Sequence, residues 1–313
     1  DSPKPKIIEH PKSHLAIKDR STRLVCSATS NPFSNLTFDW RKNNNNISNP
    51  SIYENVTVSE KGQKVVTSVF VIPHVSYLDA GKYQCIVNNK FGSTYSYKVS
   101  VNIVTFPRFK ETPTNVTVKT GEIVALNCAA TGDPAPEISW KKDGGSDFPA
   151  ARERRMNVIP NDPRFFIVNA KTTDMGVYSC AAKNHAGTII TNATVTVLQE
   201  PSFIRVMENK EVISGEPIVL QCMITGSPRP VLKWLKDGLP VSSADRHYFT
   251  ADDQILVIIA AESHDAGQYE CEITNNLGTK KDMIEVKVLP PVAIRVKEED
   301  MTGIIVITVV CCA

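Results

Sequence analysis

No Cys-x-x-Cys pair, nucleophile motif, phosphate-cradling glycine loop or paired-carboxylate arrangement occurs in these 313 residues. Zinc, thiol redox and group-transfer chemistry are therefore without their usual ligands and nucleophiles. The six histidines, His10, His14, His74, His185, His247 and His264, are scattered without metal-ligand spacing to carboxylates or cysteines. They read as surface residues, and neither a metal nor a cofactor is expected. A strong charge of either sign is also missing, since 35 Lys and Arg face 33 Asp and Glu. Before residue 301 there is no long uncharged apolar run, which argues against a multi-span membrane protein. These absences exclude the common enzyme classes, and no nucleic-acid partner is expected.

What the chain does have is regularly placed cysteine. Six of its eight cysteines, Cys26, Cys85, Cys128, Cys180, Cys222 and Cys271, fall one pair to each third of the chain, and Cys311 and Cys312 stand together near the end. Wide, regular spacing suits structural disulfides, which persist in oxidising compartments. The chain reads as extracellular.

Each third repeats one order of landmarks: a Cys, a Trp shortly after it, then Asp-x-Gly-x-Tyr-x-Cys. The copies are Cys26, Trp40 and Asp79 to Cys85; Cys128, Trp140 and Asp174 to Cys180; and Cys222, Trp234 and Asp265 to Cys271. Short alternating runs such as Thr194-Val195-Thr196-Val197 and Ile284-Glu285-Val286-Lys287-Val288 place apolar side chains on one face of a strand. This pattern resembles the immunoglobulin fold, a two-sheet sandwich bridged by the paired cysteines. The resemblance implies that Trp40, Trp140 and Trp234 pack against the bridges and that Tyr83, Tyr178 and Tyr269 form tyrosine corners. It also implies ion pairs Arg155–Asp174 and Arg246–Asp265, with Glu60 at the corresponding position of the first copy. The turns beginning at Asn89, Asn184 and Asn275, each followed three residues later by Gly, favour the intermediate-set (I-set) subtype.

The expected architecture is all-β: three tandem immunoglobulin-like sandwiches followed by a truncated transmembrane helix. Domains are expected at 1–104, 105–198 and 199–290, with a juxtamembrane linker at 291–300. Residues 301–313 carry no charge and are expected to begin a single transmembrane span. Lys and Arg outnumber Asp and Glu by 13 to 7 in the first domain and 11 to 9 in the second, but are outnumbered 9 to 14 in the third. Such a gradient steers acidic partners toward the first domain. Glycosylation sequons begin at Asn35, Asn46, Asn55, Asn115 and Asn192, all in the first two domains. Arg152-Glu153-Arg154-Arg155 matches a dibasic protease site, but an Arg155 tied into a sandwich cannot extend into a protease cleft.

One segment is more specific than the fold. Trp140-Lys141-Lys142-Asp143-Gly144-Gly145-Ser146-Asp147-Phe148-Pro149-Ala150-Ala151-Arg152-Glu153-Arg154-Arg155-Met156 is similar to the second immunoglobulin domain of the leucine-rich repeats and immunoglobulin-like domains (LRIG) family. Phe91-Gly92-Ser93-Thr94-Tyr95-Ser96 and Cys128-Ala129-Ala130-Thr131-Gly132 also resemble that family. The resemblance implies a single-pass plasma-membrane protein whose leucine-rich repeats precede these domains and whose cytoplasmic tail follows them. It further implies binding to cell-surface receptors, among them growth-factor receptor tyrosine kinases, restraint of their signalling, and an influence on bone-morphogenetic-protein signalling. Phe148, Arg152 and Arg154 combine an apolar anchor with charge and are the candidate partner-binding residues. Two other readings fit the fold, a cell-adhesion molecule and the ectodomain of a receptor tyrosine kinase.

Overall fold

The computed structural model describes residues 4–30, 34–48, 51–59, 62–159 and 162–291. Glu60, the linker beyond Pro291 and the expected span at 301–313 lie outside the described residues. Among the described residues no helix is long and apolar enough to cross a membrane. The chain divides into two compact units, residues 1–197 and 198–313. The first unit holds two sandwiches and the second holds one.

Period-two alternation builds every sheet. Lys64–Ile72 runs Lys-Val-Val-Thr-Ser-Val-Phe-Val-Ile and buries every second residue: Val66, Ser68, Phe70 and Ile72. In the first sandwich this strand lies between Thr22–Thr29 and Ser51–Val58, with Lys6–Glu9 on the far edge. The facing sheet centres on Gly81–Asn89, flanked by Thr37–Lys42 on one side and by Gly92–Tyr95 and the start of Val99–Glu111 on the other. The other two sandwiches repeat the plan around Gly176–Asn184 and Gly267–Asn275, each facing a three-stranded sheet. The His14–Ile17 and Lys210–Ile213 strands join their sheets in parallel to the final strand.

The sheets meet over three separate cores. Cys26–Cys85, Cys128–Cys180 and Cys222–Cys271 are disulfides with Cα–Cα distances of 6.5, 6.5 and 6.4 Å, and all six cysteines are buried. Trp40 and Trp234 are buried beside their bridges. The Trp40 indole N–H donates to Ser68 Oγ (3.1 Å), and that of Trp234 to the Asp253 carbonyl (2.7 Å). Trp140 is only half-buried, packed on Phe165 at 5.1 Å between ring centroids. Burying each large apolar side chain contributes about 1.5–3 kcal/mol, so residues such as Leu126, Phe165, Ile218 and Leu256, nearly inaccessible to solvent, dominate the favourable side.

Tight hairpins with two left-handed residues follow Thr37–Lys42, Glu137–Lys142 and Val231–Lys236. The pairs Asn43-Asn44, Asp143-Gly144 and Asp237-Gly238 all have positive φ, the geometry that matches strand twist and that Asn, Asp and Gly tolerate. The first side chain of each pair reaches across the sheet. Asn43, Asp143 and Asp237 accept the backbone N–H of Lys82, Val177 and Gln268 at 2.8–2.9 Å.

In the loop-closure account, a bridge closing a loop of about 50 residues contributes about 4 kcal/mol. Cys222→Ala with Cys271→Val should therefore lower the stability of the third sandwich by roughly that amount, while the melting of the first two sandwiches is unchanged. Differential scanning calorimetry of the whole chain separates the transitions; loss of all transitions together would contradict independent cores.

Candidate functional site

The tyrosine corners take the same form three times. Short turns Tyr77–Asp79, Thr172–Asp174 and Ser263–Asp265 precede the second-cysteine strands. The hydroxyls of Tyr83, Tyr178 and Tyr269 donate to the backbone carbonyls of Asp79, Asp174 and Asp265 at 2.7, 2.8 and 2.9 Å. Each aspartate carboxylate also caps the turn it ends, accepting the backbone N–H of Ser76, Lys171 or Glu262. Burial, reinforced by the nearby Asp79 charge, pushes the Tyr83 phenol up to about 12, so it stays protonated and donating at physiological pH.

Beneath the second and third sandwiches an arginine completes the arrangement. Arg155 is 7% exposed and grips the fully buried Asp174 with two hydrogen bonds, 2.7 and 3.0 Å. It also donates to the Asn169 carbonyl (3.0 Å) and to Glu153 (2.6 Å), which in turn accepts from Lys171 (2.7 Å). Arg246 pairs with Asp265 in the same two-pronged way at 2.9 and 3.2 Å, from a more open position. In the first sandwich the Asp79 carboxylate takes the Ser76 hydroxyl at 2.9 Å.

The 147–156 segment differs from expectation in one respect. Phe148 is not a surface anchor: it is 9% exposed and packs between the Phe165 and Tyr178 rings at 6.2 and 6.1 Å. The short helix Pro149–Arg152 turns the chain so that Phe148 and Ala150 point into the core, where their apolar surface leaves water. Arg152 and Arg154 remain exposed; Arg152 pairs loosely with Asp147 at 3.1 Å. Arg155 at the end of the dibasic run is locked into the sandwich, away from any protease.

The asparagine turns do more than the sequence suggests. Asn184 and Asn275 accept backbone N–H groups of Ala186 and Leu277 within their turns. Their amide nitrogens donate to the carbonyls of Thr105 and Pro134, and of Gln199 and Pro228, at 2.8–3.0 Å. One side chain thus fixes both the turn and the entering strand of its domain. Asn115 has a second role too: its Oδ1 accepts the Thr194 backbone N–H at 2.8 Å, as Asn209, which begins no sequon, does for Glu285. All five sequon asparagines are exposed.

Removing one partner of a buried pair typically costs about 3–5 kcal/mol, so Arg155→Ala should destabilise the second sandwich on that scale, whereas Arg152→Ala should stay within about 0.5 kcal/mol of the parent. Denaturant unfolding of both variants checks this, and equal small losses would contradict it. Asp265 gives a pH test. Burial pushes its carboxyl up, but hydrogen bonds from Arg246 and the Glu262 N–H outweigh burial and hold it below 3.8. Its contribution is therefore fully present at neutral pH and lost as pH falls below about 4 through the lower folded value. Asp265→Asn should flatten the acid slope of the third sandwich's stability; an unchanged slope in fluorescence-monitored acid titrations would contradict the assignment.

Residues 107–197 and 201–288 match the immunoglobulin I-set domain family, and residues 4–89 match an immunoglobulin domain family. The whole chain is 42% identical to leucine-rich repeats and immunoglobulin-like domains protein 3 of Homo sapiens, covering 29% of that protein. Over 91% of the chain it is 45% identical to the human protein 2 of the same name, covering 27% of it. The chain thus spans under a third of the length of these curated relatives. Among solved structures, the crystal structure of Dpr2 Ig1-Ig2 in complex with DIP-Theta Ig1-Ig3 matches 91% of this chain and 99% of that one, with a TM-score of 0.53 and 22% identity, a likeness of fold alone. With two I-set matches covering more than half of its residues, the chain belongs to the immunoglobulin I-set family, and from end to end it is similar to the leucine-rich repeats and immunoglobulin-like domains proteins.

Proposed function

We propose that these three domains are an extracellular part of a single-pass plasma-membrane protein that binds growth-factor receptor tyrosine kinases and restrains their signalling, with an influence on bone-morphogenetic-protein signalling. The observation that carries this reading is identity of 42% across the entire chain to a leucine-rich repeats and immunoglobulin-like domains protein. Three buried disulfides suit an oxidising, extracellular setting, and the uncharged run at 301–313 suits an anchor.

No chemistry is asked of the segment. It contributes a contact surface or sets the height of what precedes it above the membrane, and the fold by itself favours neither. With Phe148 buried, Arg152 and Arg154 are the exposed residues of the 147–156 segment to test as a receptor contact, because arginine is enriched where interfaces concentrate their energy.

Expressed on cells with a growth-factor receptor, the membrane-anchored protein should co-precipitate with the receptor and shorten its ligand-stimulated phosphorylation. Arg152→Glu with Arg154→Glu should weaken that association at unchanged surface level. Receptor phosphorylation indifferent to the protein, across a panel of growth-factor receptors, would refute the regulatory reading. Aggregation of beads coated with the ectodomain would instead favour adhesion.

A further inference from the structure

The outward face of the first sandwich's Gly81–Asn89 sheet carries a shelf that sets an aromatic ring beside a cation, where its counterparts carry cations without an aromatic ring. Strand register defines the face, because directly opposed residues share a side. Arg41 is opposite both Gln84 and Asn46, and Ile86 is opposite both Asp39 and Tyr95. Gln84 and Ile86 alternate onto the same side, so Asn46, Arg41, Gln84 and Tyr95 lie along one surface.

Tyr95 on this surface and Tyr97, two residues beyond the end of its strand, are open and held. Tyr95 is 52% exposed and Tyr97 72% exposed. The Arg41 guanidinium sits 5.9 Å from the Tyr95 ring centroid, and His10 stacks on Tyr97 at 4.2 Å. The His10 Nδ1 also accepts the Tyr97 backbone N–H at 3.2 Å. These contacts hold one side of each ring and leave more than half of each side chain exposed.

At the other end of the shelf Asn46 opens the sequon Asn46-Ile47-Ser48. Its Oδ1 accepts Arg41 Nε at 2.8 Å, so the arginine that flanks the Tyr95 ring also orients the amide. The equivalent face of the second sandwich presents Ser139, Lys141, Ser179, Ala181, Ile190 and the sequon residue Asn192, with a cation in the place of Arg41 but no aromatic ring. That of the third presents Lys233, Glu272 and Lys281 and no sequon.

We propose that Asn46 carries an N-linked glycan whose first sugars lie across Arg41 onto Tyr95 and Tyr97, so that the chain's own carbohydrate covers this face. In the transfer, Asn46 Nδ2 attacks C1 of an oligosaccharide carried on a lipid pyrophosphate. The N–C1 bond forms, the C1–O bond to the pyrophosphate breaks, the lipid pyrophosphate departs and Nδ2 loses one proton. From the Asn46 strand to the Tyr95 strand is three strand spacings, about 14 Å, a span suited to the first sugars of a glycan. Sugar C–H faces pack on the tyrosine rings, whose polar tips stay wet, and sugar hydroxyls accept from the Arg41 guanidinium. Such a cover shields the two exposed tyrosine rings.

The test uses the full chain made in mammalian cells. Glycopeptide mass spectrometry reads occupancy of Asn46, and tetranitromethane nitration, read peptide by peptide, reports access to Tyr95 and Tyr97, with the exposed Tyr77 as internal reference. Asn46 is expected to be occupied. Nitration of Tyr95 and Tyr97 is expected to rise several-fold in Ser48→Ala, which keeps Asn46 and its bond to Arg41, and equally after enzymatic removal of the glycan from the parent protein. The Tyr77 rate should stay constant. An unmodified Asn46 overturns the proposal. Occupancy with unchanged tyrosine rates also overturns it, and leaves the face open to a protein partner.

Discussion

Everything in these domains depends on closing two sheets over a buried bridge. A sandwich of this size has a thin core, and net stability is the small remainder of large opposing contributions. The disulfide restricts the unfolded chain, and the tyrosine corner then holds the strand carrying the second cysteine against the preceding turn. Because the second cysteine of the bridge, the tyrosine and the capping aspartate lie within seven residues of one another, from Asp79 to Cys85 for example, a short motif organises the base of each sandwich.

That compactness explains what could be read from the chain. The Cys, Trp, Asp and Tyr landmarks lie at near-fixed spacings, so the fold is legible in them, whereas the Arg155–Asp174 and Arg246–Asp265 pairs follow only from the resemblance to that fold. Phe148 was misleading for a physical reason. It is flanked by Asp147 and Pro149 outside any alternating run, and only the following helical turn shows that its ring enters the core. Trp140, expected like Trp40 and Trp234 to pack at its bridge, packs on Phe165 and stays half-buried where the other two are buried.

Surface properties were legible least of all. That Tyr95, Arg41 and Asn46 share a face depends on register across four strands, and no local pattern encodes it. The reach of Asn184 to Thr105, 79 residues away, is likewise a product of folding. The sequence marked both asparagines, one for its turn and one for its sequon, without showing what either amide would meet.

The central claim is that each third of the chain is a self-contained sandwich closed by its own bridge. Non-reducing peptide mapping of the protein secreted or displayed by mammalian cells tests it most directly. The account predicts three linked peptide pairs joining Cys26 to Cys85, Cys128 to Cys180 and Cys222 to Cys271. Free thiols at these positions, or a bridge joining cysteines from different thirds, would contradict it.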